Sequence, residues 1–111
     1  MDKKTRIRFE TRAAVIKALA HPTRLFLVDV LSRNEKCVCE LTEMVGADIS
    51  TVSKHLTVLR TAGLVEADKR GLQVWYRLRT PCVMNFFDCI ESVIKSTGSS
   101  PVGCCVGRCK L

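Results

Sequence analysis

Two short helical patterns lie only three residues apart in the middle of this chain, and the residues between them are Gly46-Ala47-Asp48. A connection that short cannot separate two independent elements, so the two helices must turn sharply and pack as a pair. The first pattern follows Cys37-Val38-Cys39, carries Leu41, Met44 and Val45, and ends at Gly46. The second spans about residues 49–62, with Asp48 placed to cap its start. Val52, Leu56 and Leu59 recur at i, i+4 and i+7, which gathers them into one stripe for burial. Ser50, Thr51, Ser53, Lys54 and His55 are left for the opposite side. Gly63 suits the left-handed residue that ends a helix, and Leu64 supplies the apolar contact beyond it.

The flanking segments limit what this pair can belong to. Residues 5–20 read as a helix that His21-Pro22 stops, since a residue before proline avoids the helical region. Proline then opens a helix over about residues 22–32, with Leu25, Phe26, Leu27, Val28, Val30 and Leu31. That helix is apolar nearly all round, which predicts a place in the middle of the core. His21, at the junction, is expected to cap or pack.

Residues 64–68 and 73–79 are strand-like, with Val74, Tyr76 and Leu78 alternating against Gln73, Trp75 and Arg77. Lys69-Arg70-Gly71-Leu72 is the expected joint between them, with Gly71 available for a positive φ. Pro81 opens a last helix to about Ser96, in which Val83, Phe86, Phe87, Ile90, Val93 and Ile94 recur at helical spacing. The predicted order is α-α-α-α-β-β-α, a mainly α fold with one β-hairpin. Residues 1–96 are expected to form one domain, and residues 97–111 a flexible, Cys-rich tail punctuated by Gly, Ser and Pro.

Charge and composition narrow the partners. At 111 residues the chain has room for one modest core, and 47% hydrophobic residues suits a folded domain. No apolar run approaches the roughly 20 residues of a membrane span. The charged start, residues 1–12, lacks the apolar stretch of a secretion signal. These features predict a cytoplasmic protein with no membrane partner. A net charge of +7 points to a polyanion, with nucleic acid foremost.

Placed on the predicted elements, those charges make a winged helix-turn-helix. The second helix of the pair buries one stripe and offers the other to the major groove of double-stranded DNA. The small hydroxyls of Ser50, Thr51 and Ser53 permit close approach to phosphates, while Lys54 and His55 can reach base edges or phosphate oxygens. Lys69 and Arg70 on the hairpin, with Arg77 and Arg79 nearby, would meet the flanking backbone.

The segments Ala18-Leu-Ala-His-Pro-Thr-Arg-Leu25, Cys37-Val-Cys-Glu-Leu41, Ser50-Thr-Val-Ser-Lys-His-Leu-Thr-Val-Leu-Arg-Thr-Ala-Gly-Leu-Val65 and Val74-Trp-Tyr-Arg-Leu78 resemble the ArsR/SmtB family of metal- and metalloid-responsive repressors. The likeness runs over about residues 10–95 and is closest in character to the arsenical-resistance repressors. It implies a homodimer paired through the first and last helices on a roughly palindromic operator. The apolar face of the last helix independently exceeds what one small core can cover.

Cys37-Val38-Cys39 resembles the metalloid site of the arsenical-resistance members, in which three thiolates hold As(III) or Sb(III). Their pattern continues to a third cysteine where this chain has Thr42. Two positions apart, side chains diverge on a helix but share a face on extended chain. Holding one ion with both thiols therefore favours unwinding the start of the helix, which would disturb the helix-turn-helix. The tail brings three more thiols, Cys104, Cys105 and Cys109, within six residues. Soft thiolates without clustered histidine or carboxylate suit As(III) or Sb(III), with Cd(II) next. A four-thiolate Zn(II) site is open if Cys37 and Cys39 join two tail cysteines. Cys89, on the face of Phe86 and Val93, is expected to pack.

Three other readings use the same cysteines. A thiol redox or persulfide switch on the same repressor needs only two of them. A thiol enzyme lacks its usual marks here, because no Cys-x-x-Cys opens a βαβ unit and no phosphate-cradling loop is present. A metal buffer that merely happens to be basic leaves the recognition-helix pattern without a purpose.

Overall fold

In the computed structural model, residues 1–97 are described, and they form five helices and a three-stranded antiparallel sheet. Helix α1 (Lys3–Leu19) starts where the Asp2 carboxylate accepts the Thr5 backbone N–H at 2.8 Å. Only its last turn is buried, through Ala18 and Leu19, while Ile7, Phe9 and Ile16 stay about half exposed. Helix α2 (Pro22–Leu31) follows directly, and Nδ1 of His21 caps it by accepting the Thr23 N–H at 3.1 Å. Leu27, Val28, Val30 and Leu31 of α2 are buried. Leu25 and Phe26 are not, at 41% exposure each, so α2 buries one side and not its whole circumference.

A strand absent from the sequence reading comes next. Strand β1 (Lys36–Cys37) pairs with β3 (Gln73–Leu78), Lys36 opposite Tyr76 and Cys37 opposite Trp75. Helix α3 (Val38–Val45) begins at once, so Cys37 is both the end of a strand and the N-cap of a helix. Gly46 adopts φ +78° to end α3, and helix α4 (Ile49–Thr61) starts after Asp48. The end of α4 is a Schellman motif: Leu64 N–H reaches the Leu59 carbonyl and Gly63 N–H the Arg60 carbonyl, both at 3.0 Å. Gly63 sits at φ +85°, and Leu64 is buried, as the sequence predicted.

Strand β2 (Val65–Arg70) pairs with β3 in a register that puts Arg70 opposite Gln73. The joint is therefore the two residues Gly71-Leu72, not the four expected, and Lys69 and Arg70 extend the strand. Gly71 supplies φ +64°, the backbone conformation that tight hairpins require. The sheet order is β1-β3-β2. Seven side chains are essentially inaccessible: Leu27, Val28, Leu41, Val52, Leu56, Leu59 and Val65. They come from α2, α3, α4 and β2, so α4 is clamped from within by the core.

Residues 1–80 make one compact unit, and a second begins at Pro81. It contains α5 (Val83–Thr97), where Val83 is buried while Phe86, Ile90 and Val93 stand 40–57% exposed at helical spacing. Cys89 of α5 is exposed, contrary to the packing expected of it. The tail, with Cys104, Cys105 and Cys109, lies outside the described residues.

Candidate nucleic-acid interface and thiol pair

Helix α4 divides as its spacing predicts. Val52, Leu56 and Leu59 are wholly buried, while Ser50, Thr51 and Lys54 are exposed and Ser53 is half-buried. Asp48 organises the start. Its two carboxylate oxygens accept the hydroxyls of Ser50 at 2.6 Å and Thr51 at 2.5 Å, and these bonds hold its pKa below the usual carboxylate range. Each hydroxyl has a single proton, and Asp48 takes it. What Ser50 and Thr51 offer outward is acceptor lone pairs, so donation to a phosphate requires the hydroxyl to rotate away from Asp48.

His55 differs from its neighbours in the candidate set. It is half-buried, its ring centroid lies 4.4 Å from that of His21, and its Nδ1 is 3.2 Å from a guanidinium nitrogen of Arg24. The positions explain this. At about 100° per residue, His55 falls roughly 60° from Val52 around the helix and about 40° from Leu59, on the shoulder of the buried stripe. Lys54 falls about 200° from Val52, on the outer face.

The wing carries its cations unequally. Among the described residues Lys69 is exposed and makes no ion pair, whereas Arg70 is held by two carboxylates. Its guanidinium donates to both Glu35 carboxylate oxygens, at 2.6 and 3.2 Å, and to Asp68 at 3.1 Å. It also lies 5.3 Å from the ring centre of Trp75. These partners raise the pKa of Arg70 and lower that of Glu35. Arg77 and Arg79 both meet Glu66, at 2.6 and 3.7 Å. Glu35 precedes β1, far from the wing in sequence, and nothing in the spacing of charges foretold its partner.

The thiol pair straddles the start of α3. Cys37 is buried, at 4% exposure, and Cys39 is exposed. The Cys37 N–H donates to Oε1 of Glu40 at 3.1 Å, and the Cys37 sulfur faces the Glu40 backbone N–H to complete a capping box. That backbone bond, reinforced by the Cys37 side chain, lowers the pKa of Glu40. Thr42, where the arsenical-resistance pattern has cysteine, donates its hydroxyl to the Val38 carbonyl at 2.7 Å. Among the described residues, no three His, Cys, Asp or Glu side chains gather into a group that could hold a metal ion. No described helix is long and apolar enough to cross a membrane.

Comparison with known proteins agrees with this geometry. Residues 21–67 match the model of the bacterial regulatory protein arsR family. A transcriptional repressor SmtB homologue from Synechocystis is 40% identical over 75 residues, which cover 68% of this chain and 57% of that protein. The chain thus spans little more than half the length of that relative. NolR from Sinorhizobium fredii superposes with a TM-score of 0.77 at 27% identity, covering 84% of this chain and 93% of NolR. The homodimeric winged helix-turn-helix DNA-binding domain of a possible ArsR-family regulator from Mycobacterium bovis gives 0.73 at 30% identity, covering 84% and 86%. Helix-turn-helix, hairpin wing and matched segment together place the chain in the ArsR/SmtB family of transcriptional regulators.

Proposed function

We propose that this chain is a repressor that binds operator DNA as a homodimer and releases it when cysteine thiolates capture As(III) or Sb(III). The observation that carries the DNA half is the division of α4. Val52, Leu56 and Leu59 anchor the helix in the core, and Ser50, Thr51 and Lys54 face solvent. A net charge of +7 adds the salt-dependent attraction that phosphates provide. Dimerisation is supported by the Mycobacterium bovis relative and by apolar residues left open on α1 and on α5. A two-fold pair of recognition helices reads two half-sites.

The sensing half rests on Cys37 and Cys39, with Cys104, Cys105 and Cys109 to complete a trithiolate. Using both thiols at the start of α3 asks Cys37 to leave the core and give up the capping box with Glu40. The first turn of α3 then loosens, and with it the seat of α4. Coupling of this kind is commonly worth about 1–3 kcal/mol, or 5- to 150-fold in affinity. Cd(II) or Zn(II) would suit a four-thiolate site built from both groups of cysteines. A disulfide or persulfide switch would need only two thiols.

The test is fluorescence anisotropy on the promoter fragment upstream of the chain's own gene, under reducing conditions, titrated with As(III), Cd(II) and Zn(II) in turn. Release by As(III) alone supports the metalloid reading. Release by Cd(II) or Zn(II) favours the four-ligand site, and release by oxidant alone favours the redox switch. If replacing Cys104, Cys105 and Cys109 by Ser leaves release unchanged, the tail is not part of the sensor.

A further inference from the structure

Arg24 lies outside the recognition helix, yet its guanidinium reaches it. One terminal nitrogen is 3.2 Å from Nδ1 of His55, Nε donates to the Ala18 carbonyl at 2.6 Å, and the other terminal nitrogen donates to the Lys17 carbonyl at 3.5 Å. A single side chain therefore ties the last turn of α1 and the first turn of α2 to the middle of α4. A guanidinium has five donors and no acceptor, so Nδ1 of His55 must be the acceptor. The proton of the neutral ring is then on Nε2. His21, beside it, is fixed the same way, because its Nδ1 accepts the Thr23 N–H. With a permanent cation in hydrogen-bond contact, this histidine pair is a poor place for a metal ion.

We propose that Arg24 is a positioning residue for DNA recognition: it holds His55 as a neutral Nε2–H donor, which gives its hydrogen bond to an acceptor on operator DNA, a purine N7 or a phosphate oxygen. The inference rests on α4 being the recognition helix. A protonated ring would attract any phosphate, whereas a neutral, oriented N–H selects by direction and matches the acceptors of the major groove. Protonating Nδ1 would break the Arg24 contact and add a charge next to two basic groups. Burial lowers the pKa of His55, and His21, the cap of α2, and Arg24, in its first turn, lower it further. No carboxylate from α1, α3 or β2 counters them at this ring. Charging the ring is thus disfavoured by the same neighbours that orient it.

The experiment is a double-mutant cycle on operator affinity, using the full chain and the promoter fragment at fixed salt and pH. His55→Ala is expected to weaken binding about tenfold per half-site, the scale of one good groove hydrogen bond, and so about a hundredfold for a dimer that uses both. Arg24→Met should lose a similar factor, and the double variant should bind no more weakly than either single one. Arg24→Lys keeps the charge but not the fork, and should not restore binding. Multiplying losses, or full rescue by lysine, would mean that Arg24 touches phosphate itself or merely braces the helices, and would overturn the proposal.

Long-range proton–nitrogen spectra give a second reading that needs no DNA. In the intact chain His55 should carry its proton on Nε2 and titrate below the ordinary range, and its titration should move up in Arg24→Met. A proton on Nδ1 in the intact chain sinks the idea outright. A fragment prepared with 7-deazapurines separates the two acceptors: loss of the His55 contribution there marks N7, and its retention marks phosphate. Should Lys54→Ala weaken binding while His55→Ala does not, this proposal alone has failed. Should the fragment not be bound at all, the recognition-helix reading has failed with it.

Discussion

Leu56 and Lys54 stand two residues apart on α4, and the structure assigns them opposite work. Leu56 is wholly buried between Val52 and Leu59. Leu56→Ala removes three carbons from the core, worth about 2.4 kcal/mol at roughly 0.8 kcal/mol each. The cavity left behind raises the cost, so about 3–4 kcal/mol is expected, within the usual range for such truncations. A chain of this length holds on the order of 5–15 kcal/mol in total, so the variant loses a large share of its stability. In heat, about 10–15 °C of melting temperature should go with it. Lys54→Ala, on the exposed side, should stay within about 0.5 kcal/mol of the parent while binding operator DNA more weakly at every sequence. Urea unfolding followed by circular dichroism at one fixed protein concentration reads the first effect, and anisotropy reads the second. Fixing the concentration matters because dimerisation adds to apparent stability. A cost below about 1 kcal/mol for Leu56→Ala, or an equal cost for Lys54→Ala, would refute the division of α4 on which the functional reading stands.

Glu35→Gln removes the bidentate partner of Arg70 and leaves only Asp68. Operator affinity should rise a few-fold at low salt and its salt dependence steepen, by up to about one unit of slope per wing, which anisotropy across salt concentrations measures; an unchanged slope counts against it. Asp2, Glu35, Glu40 and Asp48 all have lowered pKa values, through bonds from Thr5, Arg70, Cys37 and Ser50 respectively. Their folded values lie below the unfolded ones, so their stabilisation is present above the ordinary carboxylate range and drains away as pH falls below about 4. Melting curves between pH 2 and 6 should show that loss, and it should be shallower in Glu40→Gln. Gly71→Ala, at φ +64° with open space around it, should cost about 1 kcal/mol through backbone strain alone, seen as a lower urea midpoint with an unchanged slope.

Much of the architecture is legible in the residues because it depends on local rules. The buried stripe of α4 follows from spacing, the end of α4 from Gly63 and Leu64, and the hairpin from alternation around Gly71. Strand β1 is not legible, since two residues are too few to show a period and its partner lies some forty positions away. The exposure of Leu25 and Phe26 escapes for a related reason: an apolar helix in sequence does not say which of its sides a neighbour covers. At the candidate interface, Lys54 and the hydroxyls were placed by helical geometry. His55 shares their polarity, but its angle around the helix sets it beside Leu59. The role of Arg24 is not legible, because its partners come from two other helices, α1 and α4, and meet it only in the fold. The pairing of Arg70 with Glu35 escapes as well, since 35 positions separate two residues that only the sheet brings together.

The chain contains a single tryptophan, Trp75, which lies opposite Cys37 across the β1–β3 ladder. It is half-buried, with the Arg70 guanidinium over its ring. Indole emission responds to solvent and to nearby charge, so this residue is a built-in optical probe at the junction of thiol pair and wing. Drawing Cys37 out of its strand would change what surrounds the indole directly, through the ladder pairing. Stopped-flow emission, with no label attached, can therefore time events at the cysteines separately from the departure of DNA.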